Sequence, residues 1–265
     1  MRKQFVTYLG NDRFLPGVLV LSASLVQHNQ NVGLLILVGQ SVSPPIIDFL
    51  GEKGLSIRMI KDIENPFVQA KDNRGSKYMY TKIRVFELVE FDKIVFLDAD
   101  MLVCSNIECL FEKEHMSAVV AGKFMLKNAS WVDFNSGLMV IKPEPATFEK
   151  MLEVIKTLDS NDRTDQGFLN NFYCEWKSNT GLHLDHKFNL PSEYLDEFCR
   201  LSGLDFEYNG DIHCGDGVAV LHFWGSAKPW DIDITGLAVR YLAARARPKY
   251  QQSLDLWWDY FYKAV

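Results

Sequence analysis

Apolar residues in the first hundred positions come in short runs cut by polar turns, and their spacing switches between two periods. Residues 5–9 and 33–38 are continuous apolar stretches rich in branched and aromatic side chains, which predicts buried strands. Between them Leu15, Val18, Leu19, Ser22 and Leu25 recur at helical spacing after the turn residues Asn11 and Asp12, predicting a helix over 14–30 with one stripe facing a core. Pro44-Pro45 opens a second helix running to Glu52, since proline is tolerated in a first helical turn. Residues 55–60 predict a third strand, 78–90 a helix and 93–97 a fourth strand. This alternation is the signature of an α/β fold with a doubly wound, largely parallel sheet. Beyond residue 100 the rhythm loosens. Strands are expected at 118–122 and 138–141, helices at 144–158 and 165–172, and short strands and turns over 203–223. A terminal helix at about 248–264 carries Trp257, Trp258, Tyr260, Phe261 and Tyr262. Aromatics at helical spacing usually face a core, so this helix is expected to dock, with a dimer contact or a sugar platform as the alternatives. No linker, repeat or low-complexity segment interrupts residues 1–265, and a single domain is expected.

Composition narrows the class. A hydrophobic fraction of 48% supports a large core, and a net charge of −6 with no Lys/Arg run excludes a nucleic-acid backbone as the main partner. The longest apolar stretch, about residues 17–25, is too short for a membrane span. Met1-Arg2-Lys3 precedes an apolar segment, but Asn11-Asp12-Arg13 breaks it and no cleavage site follows. Cys104, Cys109, Cys174, Cys199 and Cys214 are odd in number and lack Cys-x-x-Cys spacing, which fits reduced thiols and a cytoplasmic location. Neither a Gly-x-Gly-x-x-Gly after the first strand nor a Walker-type Gly-Lys loop is present, so the usual dinucleotide and P-loop sites lack support.

The chemistry concentrates at four places. Lys93-Ile94-Val95-Phe96-Leu97 leads into Asp98-Ala99-Asp100. Side chains two apart on a strand share a face, so Asp98 and Asp100 aim two carboxylates at one point beyond the strand's carboxyl end, where α/β sheets bind ligands. Converging carboxylates repel unless a cation sits between them, and hard oxygen ligands suit Mg²⁺ or Mn²⁺ holding a phosphate-bearing ligand. An exposed turn with two solvated acids is the alternative. Phe134-Asn135-Ser136-Gly137 offers a small polar loop that backbone and ligand could approach closely, or an ordinary turn. In Asp162-Arg163-Thr164-Asp165-Gln166-Gly167, Asp162 is a candidate N-cap and equally a candidate ligand, and Asp165 in the first helical turn could hold hydroxyls. In the stretch from Leu221 to Trp230, His222 could be a third metal ligand through neutral imidazole or a satisfied core residue. Gly225 there would admit backbone contact with a phosphate, and Lys228 would place a point charge on it.

Taken together, Phe5-Val6-Thr7 with Asn11-Asp12, Thr81-Lys82, Asp98-Ala99-Asp100, Phe134-Asn135-Ser136-Gly137, Asp165-Gln166-Gly167, and His222-Phe223 with Gly225 and Lys228-Pro229-Trp230 make the chain resemble glycosyltransferase family 8, most of all its glycogenin branch, over about residues 4–231. The resemblance implies a GT-A, Rossmann-like nucleotide-sugar fold with a mixed central sheet, a UDP-sugar donor, and Mn²⁺ with Mg²⁺ as the alternative. It implies that Asp98, Asp100 and His222 ligate the metal. Asn11 and Tyr78 would lie near the uracil and ribose, Lys82 would contact the donor, and Tyr8 and Ala99 would belong to the same donor site. Asn135, Ser136, Gly137, Asp162, Asp165 and Gln166 would surround the sugar and acceptor, and Gly225 and Lys228 would hold the diphosphate. Asp165, Gln166 and Lys228 would carry the catalysis, with retention of anomeric configuration, in a homodimer.

The family's self-glucosylated tyrosine would align near Asp196 rather than Tyr194, and the chain stops at Val265 without the long tail that reaches glycogen synthase. The expectation is therefore transfer of a hexose, galactose before glucose, to a separate glycan or glycoprotein, as in the relative that extends the glycan on the ubiquitin-ligase subunit Skp1. Self-glucosylation as in glycogenin, galactinol synthesis onto myo-inositol, and a non-catalytic UDP-sugar-binding module are the other readings.

Overall fold

The computed structural model describes residues 1–68, 77–122, 128–158, 160, 162–208, 210, 217–225, 228–231, 242 and 245–265. In chain order its strands are β1 (Lys3–Leu9), β2 (Leu34–Val38), β3 (Ser56–Met59), β4 (Lys93–Leu97), β5 (Met101–Val103), β6 (Ala118–Val120), β7 (Phe134–Ile141), β8 (His183–Leu184), β9 (Leu190–Pro191) and β10 (Val220–His222). Its α-helices are α1 (Leu15–His28), α2 (Pro44–Glu52), α3 (Pro145–Val154), α4 (Asp165–Phe172), α5 (Leu195–Ser202) and α6 (Pro248–Ala264). Internal contacts divide the chain into two compact units.

The first unit comprises Met1–Leu15, Val32–Asp98 and Cys109–Leu184. Its seven strands lie in the order β3-β2-β1-β4-β7-β6-β8. β1 runs parallel to β2 and β4, and β2 parallel to β3, while β7 is antiparallel to both β4 and β6. The sheet is thus mixed, as expected from the resemblance. β2 is buried at every position and β4 at all but Lys93, which is why both read as unbroken apolar runs. β3 is half-exposed and ends the sheet. The core joins Val6, Leu37, Phe86, Phe96, Phe134 and Phe168, and Tyr80 packs on Phe168 with ring centroids 5.3 Å apart.

The expected α-helix over 78–90 is instead a 3-10 run, Met79–Glu87. Tyr80, Thr81, Lys82, Ile83, Val85 and Phe86 are all buried there, and the segment carries Lys82 inward. Thr81 Oγ1 accepts the Ile63 N–H at 2.9 Å, pinning the run.

A half-buried histidine in this unit predicts a pH effect. His115 Nδ1 accepts the Lys142 N–H at 3.1 Å, and its Nε2 lies 3.2 Å from the Tyr173 hydroxyl. Burial pushes its pKa below the ordinary histidine value, with Lys93 and Lys142 adding to the effect and Glu144 opposing it. The unfolded chain then takes up this proton more readily than the folded one. The stabilising contribution is complete above the unfolded value of about 6.5 and is lost as pH falls below it, at up to ~1.4 kcal/mol per pH unit. Urea melts should show lower stability at pH 5 than at pH 7, and His115→Gln should flatten part of that difference.

The second unit comprises Pro16–Asn31, Ala99–Glu108 and Asp185–Val265. Its three strands lie in the order β5-β10-β9, with β10 antiparallel to β5 and parallel to β9. These strands are two or three residues long, which explains why no periodicity announced β5 or β9. Of the short strands expected over 203–223, Val220–His222 is the one described; positions 209 and 211–216, Cys214 among them, lie outside the described residues. α1 is preceded by a 3-10 turn, Asp12–Phe14. A Cβ on Gly17 would stand 2.3 Å from the Ala99 carbonyl oxygen and 2.7 Å from the Trp230 ring, so only glycine lets α1 approach that backbone. α6 docks as expected. Leu254, Leu256, Trp257 and Tyr260 are buried, Trp257 lies 5.5 Å from Trp230, and the Tyr260 hydroxyl is 3.2 Å from His28 Nε2. No disulfide joins Cys104, Cys109, Cys174 or Cys199. Among the described residues no helix is long and apolar enough to cross a membrane.

Candidate active site

In the first unit the ends of three elements meet. Lys82 from the 3-10 run places Nζ 2.9 Å from Asp98 at the end of β4 and 2.8 Å from Asp165 in the first turn of α4. Ser136 on β7 donates to Asp165 at 2.8 Å, and its own N–H donates to Gln166 Oε1 at 3.1 Å. Asn135 Oδ1 accepts the Gly137 N–H, and the Gly137 carbonyl accepts the Asp98 N–H, both at 2.8 Å. The antiparallel β4–β7 pairing, with Leu97 opposite Leu138, sets this register. Burial alone would pull the Lys82 pKa down, but Asp165 and Asp98 outweigh it and hold it above the ordinary lysine value. A fixed cation thus lies between two carboxylates, one of them hydrogen-bonded to a serine hydroxyl.

In the second unit Asp100 is the centre. It is 7% exposed, and its carboxylate contacts His222 Nε2 at 3.2 Å and the Lys228 ammonium. Burial would raise the Asp100 pKa, but His222 and Lys228 outweigh it and hold the group well below the usual carboxylate range. Lys228 Nζ also donates to the Phe223 carbonyl at 2.9 Å, and the Phe223 N–H donates to the Asp100 carbonyl at 2.9 Å. The pairing of His222 with Met101 across β10 and β5 brings these groups together. Behind the histidine, Nδ1 lies 2.9 Å from Asn189 Oδ1. Nothing in the sequence pattern singled out Asn189.

Within the second unit Asp100 and His222 offer a carboxylate and an imidazole nitrogen 3.2 Å apart. Asp98 precedes Asp100 in the chain with only Ala99 between them. Carboxylate oxygens with one imidazole nitrogen and no thiolate suit a hard-to-borderline divalent ion such as Mn²⁺.

The other expected site residues stand apart from these contacts. Asp162 does not cap α4. The N-cap is Thr164, whose Oγ1 accepts the Gly167 N–H at 3.3 Å. Asp162 accepts from the Thr164 N–H and hydroxyl at 2.9 and 2.8 Å, and a Cβ on Gly167 would stand 2.2 Å from its carboxylate. It therefore braces the turn one step before the helix. Asn11 caps the Asp12–Phe14 turn by accepting the Arg13 N–H at 3.1 Å. Tyr8 has its phenol pKa pushed up, by burial first and by Asp62 in smaller part. Tyr78 begins the 3-10 run. Gly225 has φ of +81°, in the left-handed region. Asp196 is also spoken for, because its two carboxylate oxygens accept the Lys249 and Tyr250 N–H groups at 3.0 and 2.9 Å, satisfying the first turn of α6.

Comparison with known proteins gives the chain a family and a fold. The family described as "Glycosyl transferase family 8" matches residues 5–233. Glycogenin-1 of Oryctolagus cuniculus is 30% identical over 272 residues, covering 98% of this chain and 76% of the relative. UDP-glucuronate:xylan alpha-glucuronosyltransferase 2 of Arabidopsis thaliana is 34% identical over 232 residues, covering 86% of this chain and 36% of that one. Among solved structures, the galactosyltransferase LgtC with donor and acceptor sugar analogues superposes with a TM-score of 0.61 at 19% identity, covering 91% of this chain and 94% of that one. The glycosyltransferase GlyE of Streptococcus pneumoniae gives 0.62 at 17% identity, covering 98% of this chain and 60% of that one. At these identities the likeness concerns the fold, which is GT-A.

Proposed function

The chain belongs to glycosyl transferase family 8, which makes it a glycosyltransferase, and on that premise we propose that it is a metal-dependent retaining α-glycosyltransferase moving a hexose from a UDP-sugar to an external glycan. The observation that carries this reading is the buried Asp100 carboxylate in contact with both His222 and Lys228, two residues after Asp98 in the chain. Asp98, Asp100 and His222 would hold Mn²⁺, or Mg²⁺ in its place. When bound, the ion supplies positive charge against the diphosphate as it leaves. Lys228 would add a second, fixed charge, and Gly225 would let the backbone approach a phosphate. Tyr8, Asn11 and Tyr78 would line the nucleoside, with Lys82 and Ala99 against the donor. Asn135, Ser136, Gly137, Asp162, Asp165 and Gln166 would hold the sugar and acceptor hydroxyls.

The bond from the anomeric carbon to the phosphate oxygen breaks with its electron pair going to UDP. The acceptor oxygen bonds to the same face of that carbon, and its proton passes to the departing phosphate oxygen. Asp165 and Gln166 orient the sugar while this happens. The sequence match running through both units supports reading them as one catalytic domain. The reading also takes in a cytoplasmic location, from five cysteines with no pairing pattern, and a homodimer.

UDP-galactose is the favoured donor and UDP-glucose the next; UDP-glucuronate, named for the Arabidopsis thaliana relative, belongs in the test. An external acceptor, such as the glycan on Skp1, is supported by Asp196, which is engaged with the first turn of α6 where the resemblance expects a priming tyrosine. Tyr194 sustains a second reading, because it is half-buried and lies edge-on to Trp224 at 6.0 Å, two residues from His222. UDP release from the three donors should be measured with Mn²⁺, with and without a simple glucoside or myo-inositol, alongside intact protein mass. Release favouring UDP-galactose and stimulated by the glucoside is expected. Stepwise mass gain would instead assign self-glycosylation, stimulation by inositol a galactinol synthase, and no release a binding module.

A further inference from the structure

We propose that Asn189 is a positioning residue that fixes the tautomer and orientation of His222 for metal ligation. The inference rests on the reading of Asp98, Asp100 and His222 as a cation site. A neutral imidazole carries one N–H and one lone pair, and the hydrogen bond on one nitrogen decides which the other presents. Asn189 Oδ1 lies 2.9 Å from His222 Nδ1, and an amide oxygen can only accept. Nδ1 therefore carries a proton, and Nε2, 3.2 Å from the Asp100 carboxylate, is the nitrogen left to turn its lone pair to an ion held there.

Both partners are held rigidly. Asn189 is 3% exposed and His222 5%. Asn189 closes the 3-10 turn His186–Phe188, donating its N–H to the His186 carbonyl at 3.1 Å. The next residues form β9, whose register against β10 sets Leu190 opposite Leu221 and Pro191 opposite His222. The short parallel strand pair thus carries a ligand on one member and its orienting acceptor just ahead of the other. Partners behind a ligating histidine typically change metal affinity 10- to 100-fold when removed.

The test is Mn²⁺ titration of the full chain, following the free-ion EPR signal. Asn189→Leu keeps the side-chain volume without an acceptor and should raise the Kd for Mn²⁺ by about 10- to 100-fold. Asn189→Asp keeps the acceptor and should stay near the wild-type value, a rescue that mere packing would not produce. His222→Ala is the control. If it loses Mn²⁺ while Asn189→Leu binds normally, the role of Asn189 is overturned and the metal reading stands. If the wild type binds no Mn²⁺, or His222→Ala binds as well as the wild type, the metal reading fails and takes the inference with it. Independently of whether Asn189→Leu folds, ¹H–¹⁵N NMR of the wild-type His222 ring should find the proton on Nδ1; finding it on Nε2 alone overturns the proposal.

Discussion

Asp100→Ala is expected to lower sugar transfer by at least about a thousandfold, a barrier increase of ~4 kcal/mol. The substitution removes a metal ligand in the proposed reading and also the counter-charge of Lys228. Lys228 is 6% exposed, so its ammonium would lose the Asp100 carboxylate while staying buried beside the Phe223 carbonyl. Breaking a buried ion pair from one side typically destabilises by ~3–5 kcal/mol. The variant should therefore also melt earlier in urea. Asp100→Asn separates the two effects. It keeps the shape and one acceptor oxygen, so stability should recover in part, while UDP release and Mn²⁺ binding stay low. Near-wild-type turnover in Asp100→Asn would count against a metal at this carboxylate.

Asp165→Asn is expected to reduce kcat by about two to three orders of magnitude, or ~3–4 kcal/mol, with a smaller change in the KM for the UDP-sugar. Asp165 receives both the Lys82 ammonium and the Ser136 hydroxyl at 2.8 Å, and an amide in its place can accept but carries no charge. Lys82 keeps Asp98 at 2.9 Å, so the fold should survive with a modest loss. The readout is initial rate against donor concentration, paired with intact mass of the wild type during slow turnover. In the proposed same-face route Asp165 orients the sugar and forms no bond to it. A hexose found covalently attached to Asp165 would replace that route with a carboxylate nucleophile.

The structure divides what was legible from what was not along a physical line. The helix expected at 165–172 is α4, and the strand expected at 93–97 is β4. Continuous apolar runs and a polar first turn are local signals, and both elements obey them. The helix expected at 78–90 is replaced by a 3-10 run in which Thr81 and Lys82 are buried and held by Ile63, Asp98 and Asp165, partners that lie far off in the chain. The cap assigned to Asp162 belongs to Thr164, because Asp and Thr are both good caps and composition alone does not rank two candidates two residues apart.

Sequence by itself determined the alternation of elements, the strand that leads into Asp98-Ala99-Asp100 and the identity of the acids, histidine and lysines that carry charge. Those properties are written in periods of two and 3.6 residues, and short stretches of chain express them without help. Tertiary structure alone decided their partners. Lys82 reaches Asp165 rather than only Asp98, Asn189 stands behind His222 across 33 positions, and Asp196 is committed to α6 across 53. Each of these pairs forms because sheet register and helix docking bring distant backbone within hydrogen-bond reach. A buried charge or an imidazole N–H must find a partner there, but which partner is set by topology and not by spacing along the chain.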